Sequence, residues 1–290
     1  MTAIGFMGLG KMGIPILSRI RRSFGIHAVY DRNPSKGALF SPAKINSEPF
    51  QMGSACDIIL ASLAGDEACE DVFFGKTGLD KTIVPGTVVA NLGNVSYGFS
   101  MSAYRRFSEK GAIYMDCPVT GSVQEALEGS LLTMVSGDAG SFERIRGILE
   151  TFSKQVTYLG VAGNAVKMRI IATMASAASL AVSAEAIVAA EHAGIPISKS
   201  MDVLIAGNSG SSVLQEKRRT MEEGDFVPGY PLSSMIRDLR NGLDLSASIN
   251  APMPLEAAAV QYYVAASSIG LSSLDYSSVL RAFRFLSGKS

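Results

Sequence analysis

Up to about residue 160, short β-type runs alternate with helical segments, and after Gly163 the alternation stops; no other feature restricts the fold of this chain as strongly. The runs are "AIGFMGL", "IHAVYD", "CDIILASL", "GTVVANLG", "AIYMDCPV", "LLTMVSG" and "VTYLG". Strands separated in this way predict a parallel sheet covered by crossover helices, because parallel neighbours need a long returning connection. From Asn164 to Ala193 there is no Gly or Pro, and Gly194 and Pro196 then supply a stop. This segment predicts one helix of ~30 residues, roughly 45 Å long at 1.5 Å per residue. Five further helical segments follow, so residues 1–162 read as an α/β domain with a parallel-rich sheet and residues 163–290 as an all-helical domain. A cleft between two such domains is the default ligand site.

The first strand runs into Gly8-Leu9-Gly10-Lys11-Met12-Gly13, a G-x-G-x-x-G pattern. Strand before and helix after give it the context of a dinucleotide-binding, Rossmann-type turn. Gly8 permits the tight turn, Gly10 lets a pyrophosphate approach the backbone, and Gly13 lets the helix pack on the sheet. The next strand ends in Asp31, where a carboxylate meets the adenosine ribose. Asp31 favours a free 2′-hydroxyl and hence NAD, whereas Arg32, Asn33 and Lys36 offer binding to the 2′-phosphate of NADP. Arg32 and Lys36 read equally well as solvated surface charges.

Composition narrows the partners. Lys+Arg and Asp+Glu balance at 26 each, so no global basic field exists to hold nucleic acid or an anionic membrane. Cys56, Cys69 and Cys117 are odd in number and lack metal-ligand spacing, which fits neither a disulfide framework nor a zinc site and points to a reducing cytoplasm. No basic n-region precedes the first strand, so the chain is expected to stay where it is made. The apolar stretch from Ile170 to Ala184 is bracketed by Lys167, Arg169 and Glu185 and is shorter than the ~20 apolar residues a bilayer requires, which reads as a buried helix.

In order and spacing, "GFMGLGKMG", "DCPVTGS" (116–122), "GNAVK" (163–167) and "IRDL" (236–239) make nearly the whole chain resemble the β-hydroxyacid dehydrogenases, the family of 3-hydroxyisobutyrate dehydrogenase and the glyoxylate/succinic semialdehyde reductases. The resemblance implies a Rossmann-type domain, a long interdomain helix and a helical domain that forms homodimers or homotetramers. It implies NAD or NADP as cofactor and a small carbonyl acid or hydroxyacid as substrate. It places Gly8, Leu9, Gly10, Lys11, Met12, Gly13, Asp31, Arg32, Asn33, Lys36, Leu63, Asn94 and Asp238 at the cofactor, and Thr120, Gly121, Ser122, Asn94 and Arg237 at the substrate. Taken alone, the 120–122 tripeptide is either an anion cradle or a polar strand-end turn. Lys167 matches the catalytic lysine, although its own chemistry equally suits a side chain snorkelling to solvent.

Four positions depart from the pattern. Asn94 stands where the family has Ser or Thr, Ser122 where it has Gly, Ile171 falls in the turn that should hold an asparagine, and Arg237 replaces a lysine. These departures keep two alternatives beside the hydroxyacid dehydrogenase: an imine reductase of similar architecture, and a dinucleotide-binding protein without catalysis.

Overall fold

The structure, a computed structural model, describes residues 2–288 and divides by internal packing into two compact units, Met1–Arg169 and Ile170–Ser290. In the first unit β1 (Ile4–Met7), α1 (Gly13–Ile20), β2 (Ile26–Tyr30), β3 (Lys44–Asn46), β4 (Ile58–Ala61), α2 (Gly65–Phe74), β5 (Val88–Asn91), α3 (Tyr97–Ser108) and β6 (Ile113–Asp116) follow one another. The six strands form one sheet in the order β3-β2-β1-β4-β5-β6, every pair parallel. β1, β4 and β5 are buried along their whole length, which is why they read as continuous apolar runs rather than as alternating ones. One face packs Phe6, Leu60, Val88 and Met115 against Ile16 and Leu17 of α1. Phe73, Phe107 and Tyr114 form an aromatic cluster, with Phe107 stacked on Tyr114 at 5.9 Å and Phe73 edge-on to Phe107 at 5.6 Å.

Two differences from the sequence reading have local causes. The connections around β3 are 3-10 turns (Pro34–Phe40 and Pro49–Met52) rather than α-helices, each opened by a proline. The run "LLTMVSG" does not join the parallel sheet. β7 (Val119–Thr120), α4 (Val123–Glu128), β8 (Leu131–Val135), α5 (Ala139–Leu149) and β9 (Ser153–Tyr158) build a second sheet in which β8 is antiparallel to β7 and parallel to β9. Pro118 ends β6, and residues 121–130 are too few for a crossover that would set β8 parallel to β7. The sheets meet at one antiparallel bridge: Asp116 N–H donates to Ser136 O at 3.0 Å, and Ser136 N–H donates to Asp116 O at 2.9 Å.

α6 (Asn164–His192) is a single helix of 29 residues, and the division between the units falls within it. It ends where Gly194 takes φ +81 and Ile195 N–H donates back to Ala190 O at 2.9 Å. By length and composition α6 is long and apolar enough to cross a membrane, with 44% of its most apolar window buried. It is not buried all round, as the sequence suggests: Ile170, Met174, Ala177, Ala181, Ala184 and Val188 make a buried stripe at helical spacing, while Val182 is 65% exposed.

The second unit continues with α7 (Ile197–Ala206), α8 (Ser212–Glu223), α9 (Leu232–Ser248), α10 (Pro254–Ser268) and α11 (Val279–Leu286). α9 approaches α6 so closely that a Cβ at Gly242 would lie 2.0 Å from Met174 Sδ. Tyr263 of α10 donates its hydroxyl to Ala177 O of α6 at 2.8 Å. A buried Lys217–Asp275 pair at 3.2 Å holds the segment before α9, since Asp275 also accepts from the Gly229 and Tyr230 amides.

Candidate active site

The glycine loop lies at the carboxyl end of β1, where the chain first turns to β2 on one side and later returns to β4 on the other. Such a switch point leaves a crevice above the sheet. Gly8 has φ +90, and a Cβ there would sit 2.2 Å from Ser62 O; a Cβ at Gly13 would sit 1.9 Å from Gly8 O. Both glycines are therefore demanded by the protein's own packing. Gly10 differs, because a Cβ there meets nothing within 4 Å. The bareness of Gly10 keeps open a space that the fold itself does not need, at the start of a helix with no side-chain cap and no acidic residue in its first turn. That is the fit a dinucleotide pyrophosphate requires. Leu9 is buried, Lys11 is exposed and Met12 is the N-cap of α1.

Asp31 closes the loop from β2. Its Oδ2 accepts from Leu9 N–H at 2.7 Å, its Oδ1 accepts from Asn33 N–H at 2.9 Å, and Lys36 Nζ lies 3.4 Å from Oδ1. The carboxylate thus shapes the glycine loop and partly neutralises Lys36. The Asn33 side chain accepts from Ser35 N–H and caps the following turn, which commits it to local structure. Arg32 is exposed. A cavity of about 180 Å³ brings Gly8, Gly10, Asp31, Arg32, Lys36 and Leu63 together. Sequence reasoning missed its remaining wall, Tyr30, Ser62 and Ala64, the N-cap of α2, with Ala68, Asp71 and Val72 along that helix. The signal was there in the i, i+4, i+7, i+8 spacing after β4, but any amphipathic helix shows it.

The start of α6 is fastened to the seam between the sheets. Asp116, 1% exposed, accepts from Ser100 Oγ at 2.8 Å, from Ser136 Oγ at 3.3 Å and from Gly163 N–H at 2.9 Å. Ser136 Oγ in turn accepts from Ala165 N–H at 3.0 Å. Burial raises the Asp116 carboxyl above its usual range despite these donors. Lys167 follows one turn later, its N–H bonded to Gly163 O at 3.0 Å. Its Nζ sits 4.6 Å from the centroid of the Tyr97 ring and forms no ion pair or hydrogen bond among the described residues. The three thiols are buried, which pushes Cys56 up to about 11 and Cys69 up to about 12 and leaves them poor nucleophiles.

The 120–122 turn departs from a free anion cradle. Ser122 is the N-cap of α4 in a capping box: Glu125 Oε2 accepts from Ser122 N–H at 2.8 Å and from Ser122 Oγ at 3.1 Å. A carboxylate of the chain itself already holds the donors that a substrate acid would use. The S-x-x-E spacing from Ser122 to Glu125 is the sequence signal for this box. Thr120 ends β7, Gly121 has φ +138, and both are exposed. Asn94 is exposed in the turn before α3. Arg237 and Asp238 lie on α9 in the second unit; Arg237 is exposed, and Asp238 is buried with its Oδ2 accepting the Tyr230 hydroxyl at 2.8 Å.

Comparison with known proteins agrees with this arrangement. Residues 3–160 match the model for the NAD binding domain of 6-phosphogluconate dehydrogenase, and residues 162–283 match that for the NAD-binding of NADP-dependent 3-hydroxyisobutyrate dehydrogenase. The cytokine-like nuclear factor N-PAC of Gallus gallus is 30% identical over 97% of this chain, which spans 51% of that protein's length. The chloroplastic glyoxylate/succinic semialdehyde reductase 2 of Arabidopsis thaliana is 29% identical over 98% of this chain and 80% of its own. In fold, the chain superposes on 3-hydroxyisobutyrate dehydrogenase from Salmonella typhimurium with a TM-score of 0.85 at 22% identity, covering 97% of this chain and 99% of the other. Two family matches that together run from residue 3 to residue 283, the first over more than half of the chain, show that the chain belongs to the β-hydroxyacid dehydrogenase family.

Proposed function

We propose that this chain is an NAD(P)-dependent oxidoreductase that moves hydride between nicotinamide and a small carbonyl acid or the corresponding hydroxyacid, with Lys167 as general acid and base. The observation that carries this reading is the state of Lys167: a cation held over an aromatic face with its N–H donors uncommitted, on a helix turn anchored by Asp116 and Ser136. Bound dinucleotide supplies the hydride chemistry. The chain supplies the rest: Gly8 to Gly13 cradle the phosphates, Asp31 and Lys36 face the adenosine ribose, and Lys167 gives a proton from Nζ to the carbonyl oxygen in reduction and recovers it in oxidation. Thr120, Gly121, Ser122, Asn94 and Arg237 are the proposed contacts for the substrate. Free buried thiols support a reducing cytoplasm, and the exposed apolar Val182 on α6 supports association into a homodimer or homotetramer.

The test follows nicotinamide absorbance with NADH and NADPH against aldehyde acids, glyoxylate and succinic semialdehyde among them. Lys167→Ala is expected to lower kcat by ~10²–10⁴ on any active substrate. A parent protein that binds dinucleotide and turns over nothing favours a second reading, dinucleotide binding without catalysis. One observation supports that reading, the occupation of the Ser122 donors by Glu125.

A further inference from the structure

We infer that Tyr97 is the positioning residue for Lys167, its ring face fixing where the ammonium sits; this rests on the proposed role of Lys167. A lysine side chain is a point charge on a flexible four-carbon stem, so a transfer-competent geometry needs something to restrict it. A carboxylate partner would restrict it at the cost of occupying its N–H donors. An aromatic face attracts the charge through the ring quadrupole and leaves the donors on the far side of the nitrogen free. Lys167 has the second arrangement: Nζ is 4.6 Å from the Tyr97 ring centroid and has no ion pair among the described residues.

The platform is built from both ends. Tyr97 opens α3, whose N-cap Ser96 donates its N–H to Asp66 Oδ1 at 2.8 Å and its hydroxyl to Asp66 Oδ2 at 2.6 Å, while Ser96 Oγ accepts from Phe99 N–H at 3.1 Å. Asp66 thereby pins the residue just before Tyr97. On the other side the ring lies against Gly163, where a Cβ would come within 2.6 Å of Tyr97 Cε2. Gly163 is also left-handed, at φ +87, and its carbonyl accepts from Lys167 N–H at 3.0 Å. The glycine thus admits the ring and holds the backbone of the lysine that rests on it.

Tyr97→Leu removes the π face, Tyr97→Phe keeps it, and Tyr97→Met replaces the leucine variant should that one fail to fold. Steady-state kinetics and the NMR resonances of the Lys167 ε-methylene, assigned by their loss in Lys167→Arg, are read on the full chain. The resonances are expected upfield in the parent and in Tyr97→Phe, and unshifted in Tyr97→Leu. kcat is expected to fall roughly three- to thirtyfold in Tyr97→Leu and to be restored in Tyr97→Phe. KM for the dinucleotide is expected to change less than kcat, because Tyr97 is not among the residues lining the cavity at Gly8, Asp31 and Lys36. An unshifted resonance in the parent, or a full kcat in Tyr97→Leu, overturns the inference. If the parent turns over no substrate, the proposed function fails separately, and the resonance alone decides whether the ring holds the ammonium.

Discussion

Gly10→Ala separates a glycine that the fold needs from one that a ligand needs. A methyl group at Gly10 meets no protein atom within 4 Å, and its backbone is outside the left-handed region. The substitution should therefore leave stability intact or raise it by about 0.4–1 kcal/mol, since alanine restricts the unfolded chain more than glycine does. That corresponds to a rise of roughly 1–4 °C in melting temperature for a domain of this size. Gly8→Ala is the control: the left-handed backbone alone costs about 1–2 kcal/mol, and a Cβ 2.2 Å from Ser62 O adds a clash with main chain that cannot rotate away. Dinucleotide affinity should show the opposite order of sensitivity to fold. In Gly10→Ala the methyl group would stand in the space proposed for the pyrophosphate, and an overpacking penalty of about 1–3 kcal/mol should weaken Kd roughly 5- to 150-fold. Thermal melting and calorimetric titration with NAD and NADP measure both quantities on the same protein. An alanine variant that melts as low as Gly8→Ala, or that binds dinucleotide as well as the parent, refutes the assignment of this space.

Lys36→Ala should weaken NADP binding more than NAD binding, whereas Asp31→Asn should shift the preference towards NADP at some loss of loop stability, because Asp31 also holds Leu9 N–H; equal effects on the two cofactors in parallel titrations remove the pair from the ribose site. Glu125→Ala frees the donors of Ser122 and should lower KM for an acid substrate roughly tenfold, with a loss of about 1 kcal/mol from the missing capping box; an unchanged KM means that the substrate acid docks elsewhere. The Asp116 carboxyl is raised in the folded chain, so the folded state binds more protons than the unfolded one between 3.8 and that raised value, and stability falls as pH rises through this window. Denaturant titrations across pH should show that slope in the parent and not in Asp116→Asn.

The parallel sheet was legible because β1, β4 and β5 are buried on both faces and so stand out as apolar runs between turn residues. β3 was not, since its three residues carry no apolar run, and β7, at two residues, is held by register with β8 rather than by propensity. The same contrast holds in the site. Gly8, Gly13 and Asp31 act through local spacing and could be read directly. Asp116 could not, because its partners Ser136 and Gly163 lie 20 and 47 residues away and are brought together only by the bridge between two sheets. The Ser122–Glu125 box lies within four residues and was open to reading, but the family resemblance drew attention to the same donors as a substrate cradle.

The bridge at Asp116 and Ser136 also governs how this part of the chain opens. The amides of Asp116 and Ser136 are paired with each other, and those of Gly163 and Ala165 end on the two side chains, so no one of the four can reach solvent without loosening the others. They are expected to open as a single unit, so their deuterium uptake should report one common opening free energy even though the residues come from two sheets and a helix. Lys167 follows two residues after the last of them, its own N–H bonded to Gly163 O. Each opening of that unit releases the helix turn that carries the ammonium, so the exchange rate of four backbone amides sets an upper limit on how long the lysine stays in place.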